Sequence, residues 1–150
     1  MRILVAILDW GLGHASRCRP LVDLLLERGH EVFLASSSHA SDFLKQAYPS
    51  LVHLDLPSYD IVYSRSSWQA FTILQQSPKV IRKIHLEQQE LKKLHDKYRF
   101  DKVISDHRYG CWLDGVESIF LAHQLQLIPP AFFRWGRKLL FNLHMRWLKE

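Results

Sequence analysis

The sequence predicts an α/β fold: a Rossmann-like, three-layer, open and mainly parallel sheet with helices on both faces. Three observations predict it. Short apolar, β-branched runs alternate with longer stretches whose apolar residues recur at helical spacing. The first run, Ile3 to Leu8, passes through Asp9-Trp10-Gly11-Leu12-Gly13-His14 into the amphipathic stretch Leu21 to Arg28. Such a strand, glycine turn and helix is where α/β proteins place phosphate-binding and catalytic groups. The composition, 47% hydrophobic and 23% charged over 150 residues with six Gly and six Pro, suits one globular domain with a real core and disfavours a disordered chain.

In chain order, strands are expected at Ile3 to Leu8, Glu31 to Ala35, Leu51 to Leu56, Lys102 to Ser105 and Ser118 to Ala122. Gly29-His30 closes the first helix, with glycine just past the last apolar position, Leu26. Pro20 lacks an N–H and is tolerated only in a first turn. The helix should therefore begin near Arg17 and leave His14 in the loop before it, away from any helix-dipole effect. Ser38 to Tyr48 forms a second helix ended by Pro49, and Pro57 to Ser66 a polar loop long enough to carry specificity. Ile81, Ile84, Leu91, Leu94 and Tyr98 give Pro78 to Arg99 one buried helical stripe. Pro129-Pro130 then breaks the pattern before a basic amphipathic helix, Phe132 to Lys149. Residues 1–128 are thus expected to form the domain and 129–150 an appended helix.

Charge is concentrated rather than spread. Seven Lys and Arg face three acidic residues between 78 and 99, and five face one between 131 and 150. Such segments are either solvated helix faces or meet anionic lipid or phosphorylated substrates. No recognition motif accompanies them, so nucleic acid is not an expected partner. Cys18 and Cys111 have neither CxxC nor zinc-ligand spacing and are read as free thiols of a reducing, cytoplasmic compartment. Ile3 to Leu8 is too short for a signal sequence, and no apolar run approaches the roughly 20 residues a spanning helix needs.

In an open parallel sheet the ligand site lies beyond the carboxyl ends of the strands. The residues there are Asp9 to His14, Ser36 to His39, Pro57 to Tyr59, Asp106-His107-Arg108 and His123-Gln124, which include four of the nine histidines. The four sit on different loops with no HxH or HxxxH pairing, so no metal site is expected. Dinucleotide binding is a second possibility. Ser16 occupies the third glycine position of GxGxxG, and Ser36-Ser37-Ser38 stands where a ribose-binding carboxylate belongs, which disfavours NAD. NADP stays open, because Ser37 or His39 could meet a phosphate.

Gly11, Gly13, His14 and Arg17, followed by Arg28-Gly29-His30-Glu31-Val32, form a more specific pattern. With it the sequence resembles the amino-terminal, acceptor domain of bacterial GT-B glycosyltransferases, the superfamily of the lipid II glucosaminyltransferase and the glucuronosyltransferase-like enzymes. The strand Asp101-Lys102-Val103-Ile104-Ser105-Asp106, ending in an acid, and Phe120-Leu121-Ala122-His123-Gln124 extend the similarity, which covers most of residues 1–128.

The resemblance implies an inverting transfer of sugar from a nucleotide-sugar donor, UDP-linked, to a hydroxyl of a glycan, lipid or small molecule. It implies no cofactor and no essential metal. It also implies a carboxy-terminal donor domain outside these residues, without which the chain is expected to be inactive. A neutral imidazole, titrating near ~6.5 when unperturbed, suits removal of a hydroxyl proton. His14 is the candidate base, and Asp106 its candidate partner, orienting the ring and stabilising the imidazolium. The structural alternatives are a turn histidine bonded to backbone and a strand-end turn cap.

Gly11, Leu12 and Gly13 are placed at the donor diphosphate through their backbone amides. Arg17 is placed there too, with pairing to a carboxylate as its alternative. Trp10, Tyr63, Trp68, His107, Arg108 and His123 are the expected acceptor contacts, with simple packing the alternative for the aromatic residues.

For the terminal helix three roles are open: a linker to the donor domain, a peripheral contact with the inner face of a membrane, or a dimer contact. Two rival functions remain. One is an NADP-dependent reductase domain with a phosphate pocket at Ser36 to His39. The other is a non-catalytic acceptor and membrane-docking subunit of a split transferase, which predicts a separate donor-domain chain.

Overall fold

The computed structural model describes residues 1–59 and 69–122, with 69–77 as backbone alone. The strands are β1 (Arg2–Ile7), β2 (Glu31–Ser36), β3 (Val52–Asp55), β4 (Lys102–Asp106) and β5 (Glu117–Leu121). The helices are α1 (Leu12–Glu27), α2 (Ser38–Ala47) and α3 (Gln69–Tyr98). All strand pairs are parallel, in the order β3-β2-β1-β4-β5. This is the predicted α/β architecture, and the five strands fall where the apolar runs place them.

Alternation along each strand builds two cores. Ile3, Val5, Ile7, Val32, Leu34 and Ile104 face Ala15, Cys18 and Val22 of α1 and Ala40 and Leu44 of α2. Leu4, Ala6, Phe33, Ala35 and Val103 point the other way, onto Leu91 of α3, Phe100, Cys111 and Leu113. A sheet covered on both sides needs apolar residues at every position, which is why Ile3 to Leu8 reads as an unbroken run. Each Val, Leu or Ile so buried stabilises the fold by about 1.5–3 kcal/mol.

Two helix boundaries depart from expectation. Helix α1 begins at Leu12, so Pro20 lies inside it and His14 sits on its first turn rather than in the loop. An internal proline costs about 3 kcal/mol through the lost hydrogen bond and ring clash. The turn before it is held by tertiary contacts: Ala15 and Cys18 are core residues, and His14 and Arg17 both reach Asp106. Helix α3 starts at Gln69, nine residues before the expected Pro78, and carries that proline within it.

From β1 the chain winds outward through β2 and β3, then returns to β4 on the other side of β1. Ligands of open α/β sheets bind at this reversal, beyond the carboxyl ends of the two central strands. Ile7 at the end of β1 is in register with Asp106 at the end of β4, so whatever follows one strand meets whatever follows the other. Among the described residues no helix is long and apolar enough to cross a membrane. Tyr63, Trp68, His123, Pro129-Pro130 and the helix expected over 132–149 lie outside the described residues.

Candidate functional site

Gly11, at φ +74°, turns the chain off β1 and is the N-cap of α1. A side chain would be strained in that left-handed conformation, which accounts for glycine there. Its own amide bonds to the Asp9 carbonyl, so among the expected phosphate-facing amides those of Leu12 and Gly13 open the helix. Both residues are exposed, and their N–H groups fall among the first four of a helix, which have no intrahelical acceptor. Trp10 beside them is 40% exposed, so it is not core filler.

One turn into α1, His14 is buried, and its Nδ1 lies 2.7 Å from Oδ2 of Asp106. An ionised carboxylate only accepts hydrogen bonds, so Nδ1 carries a proton, and whenever the ring is neutral its lone pair is on Nε2. The Arg17 guanidinium comes within 2.6 Å of the same Nδ1. Two donors cannot share a hydrogen bond, so the productive bond of Arg17 is the one to Asp106 Oδ1 at 3.0 Å. Of the two tasks open to Arg17, the structure shows the pairing with a carboxylate.

His107 adopts φ +56° directly after β4. Its Nδ1 is 3.3 Å from Asp106 Oδ1, and its ring meets that of His14 edge-on at 5.4 Å. Burial alone would raise the Asp106 carboxyl, but the hydrogen bond and charge of His14, then the bonds from His107 and Arg17, hold it at about 2. Cys18, 3.6 Å from the same carboxylate, has its thiol pushed up to about 12, by burial first and then by the Asp106 charge.

His14, Asp106 and His107 present three ligand-type atoms within 4.8 Å of one another. The sequence separates these histidines by loop and gives no such cluster, whereas the parallel register brings them together. Arg17 also places a positive charge on the shared carboxylate.

Arg108, an expected acceptor contact, has another task. Its side chain is wholly buried and ion-paired to Glu87 of α3, which is equally buried. The guanidinium also donates to the Ile7 carbonyl at 3.2 Å and the Pro57 carbonyl at 2.6 Å. Burial lowers the Arg108 pKa, but the neighbouring Glu87 charge more than reverses this, so the net shift is upward. Glu87 Oε2 accepts from the Tyr59 hydroxyl and the Gly110 amide, and that hydroxyl accepts from the Tyr109 amide.

Sequence reasoning missed Glu87, although a signal was present: it stands three residues after Ile84 and four before Leu91, in the apolar stripe of α3. The rival reading places a phosphate pocket near Ser37. Ser37 Oγ donates to the Asp9 carboxylate at 2.9 Å, and a carboxylate beside it repels a phosphate.

The sequence model of glycosyl transferase family 1 matches residues 1–127. Among solved structures, the SsfS6 glycosyltransferase of Streptomyces sp. SF2575 superposes with a TM-score of 0.60 at 18% identity, over 97% of this chain and 45% of its own. The spinosyn rhamnosyltransferase SpnG gives a TM-score of 0.60 at 18% identity, over 97% of this chain and 42% of its own. For SnogD of Streptomyces nogalater the values are 0.56 and 20%, over 97% and 42%. SsfS6 has also been solved with thymidine diphosphate, and superposes in that form with a TM-score of 0.55 at 18% identity. These likenesses show the amino-terminal half of a GT-B fold. The chain spans under half the length of these neighbours, and no curated protein matches it.

Proposed function

This chain belongs to glycosyl transferase family 1, and on that premise we propose that it forms the acceptor-binding half of an inverting enzyme that moves sugar from a nucleoside diphosphate to a hydroxyl. The buried His14–Asp106 pair at the sheet's reversal point carries this reading. His14 Nε2 takes the acceptor proton while the hydroxyl oxygen attacks the anomeric carbon and the bond to the diphosphate breaks on the opposite face. Asp106 stabilises the resulting imidazolium, and Arg17 keeps the carboxylate ionised and in place.

The leading amides of α1 at Leu12 and Gly13 face the departing diphosphate, whose charge they are placed to balance. Arg17, bonded to Asp106, contributes to that positive edge. His107 beside the base and Trp10 at the rim supply acceptor contacts, together with Tyr63, Trp68 and His123. The donor is UDP-linked, as the resemblance implies, and its pyrimidine class is shared with the thymidine diphosphate bound by SsfS6. The carboxy-terminal domain supplies the nucleotide pocket. Because the Arg17 cation already compensates Asp106, transfer proceeds without a divalent metal at this cluster.

Sugar transfer by the full-length protein, measured with UDP- and TDP-sugars against a panel of hydroxyl acceptors, tests the reading. His14→Ala is expected to lower turnover by roughly 10²- to 10⁴-fold with the fold intact. Near-normal turnover in that variant removes His14 as base. Loss of transfer in EDTA removes metal independence.

A further inference from the structure

A fully buried ion pair is a poor stabiliser, because the cost of removing two charges from water roughly cancels their attraction. What such a pair does supply is direction, and around Glu87 and Arg108 the directions are specific. Arg108 bonds the carbonyl that ends β1, at Ile7, and the one that follows β3, at Pro57. Glu87 gathers the Tyr59 hydroxyl and the Gly110 amide onto one oxygen. Ser105 Oγ closes the turn by accepting from the Arg108 amide at 3.1 Å and donating to the Arg108 carbonyl at 2.6 Å. Asp106 lies within that turn.

We propose that Glu87, Arg108 and Tyr59 are positioning residues for transfer, a buried strut that holds Pro57 to Tyr59, where the polar loop after β3 begins, in fixed register with the turn bearing Asp106. The inference rests on the functional reading above and adds residues that touch neither substrate nor the reacting atoms. Its physical basis is that transfer rates respond steeply to placement, a 1 Å error being worth about 10²-fold. Apolar packing tolerates small slips, whereas a chain of charged hydrogen bonds does not. Gly110 shows how closely the parts meet: a Cβ there would lie 2.4 Å from the Ile84 carbonyl and 2.8 Å from Glu87 Oε2.

The test uses the full-length enzyme. Tyr59→Phe deletes both hydroxyl bonds and keeps the ring. It is expected to lower acceptor kcat/KM roughly tenfold through misplacement of the site while donor KM is nearly unchanged and the melt stays cooperative at a somewhat lower temperature. Glu87→Gln should retain more acceptor kcat/KM than Glu87→Ala. The double variant Glu87→Leu, Arg108→Met replaces the pair by apolar bulk; folded, it should still lose acceptor kcat/KM.

Unchanged acceptor kinetics in Tyr59→Phe, or donor and acceptor constants deteriorating together, overturns the proposal. A double variant that does not fold leaves Tyr59→Phe to decide. If the parent enzyme transfers no sugar, the functional reading fails. If it transfers sugar and Tyr59→Phe matches it, only the strut fails.

Discussion

The Nδ1 atom of His14 lies 2.7 Å from Oδ2 of Asp106, although 92 residues separate them in the chain. One residue opens the helix after the first strand and the other ends the strand paired beside it, so the contact is made by sheet register. The carboxylate keeps a proton on Nδ1, which leaves Nε2 as the nitrogen that the proposed base would use.

Asp106→Asn tests that dependence. An amide neither holds the imidazolium by charge nor requires a proton on Nδ1, so turnover in the full-length enzyme should fall roughly 10²- to 10⁴-fold with acceptor KM little changed. Steady-state kinetics checks it. A large rise in KM with kcat preserved would assign Asp106 to binding instead.

Stability should carry an acid limb from the same carboxyl. It is held at about 2 in the fold, against ~3.9 for an aspartate in an unfolded chain. Below about pH 4 the unfolded state therefore binds a proton that the native state does not. The stabilisation is complete above that pH and is lost as pH falls toward the folded value. Melting temperature recorded from pH 6 to 2 should show a steeper acid decline for the parent than for Asp106→Asn.

Gly110→Ala should destabilise the domain by about 1–3 kcal/mol, the usual penalty for overpacking. The new methyl meets backbone at Ile84 and the buried Glu87 carboxylate, neither of which can swing aside. Urea unfolding of the parent and variant measures the difference, and equal midpoints would show that α3 shifts to make room.

Neither cysteine should react with an aromatic disulfide reagent at pH 8 in the native state. Cys18 and Cys111 are both 3% exposed. The Cys18 thiol is raised to about 12 by burial and the Asp106 charge, and burial followed by the Glu87 charge raises Cys111. Thiolate is the reactive form. Two equivalents should be released only on adding denaturant; fast native release would place a thiol at the surface.

Strands, helices and the carboxyl-edge location of the site were legible in the chain, because each depends on local periodicity and glycine or proline chemistry. Unbroken runs such as Ile3 to Leu8 require a sheet covered on both faces. Gly11 requires a turn that other residues resist. The pairing of His14 with Asp106 was anticipated from the family resemblance, and strand register then supplied its geometry.

The sequence by itself determined the fold class, the strand positions and which loops gather at the ligand edge, since side-chain period and turn propensity act over a few residues. Tertiary structure decided what depends on contacts far along the chain. It kept α1 helical through Pro20, because the core holds Ala15 and Cys18 and Asp106 holds the first turn. Arg17 was turned onto a carboxylate. Arg108 was drawn inward, because buried Glu87 offers a charge that solvent-facing residues do not. Whether a charged side chain faces substrate or is locked inside is settled by the partner that folding brings to it, and no local pattern encodes that partner.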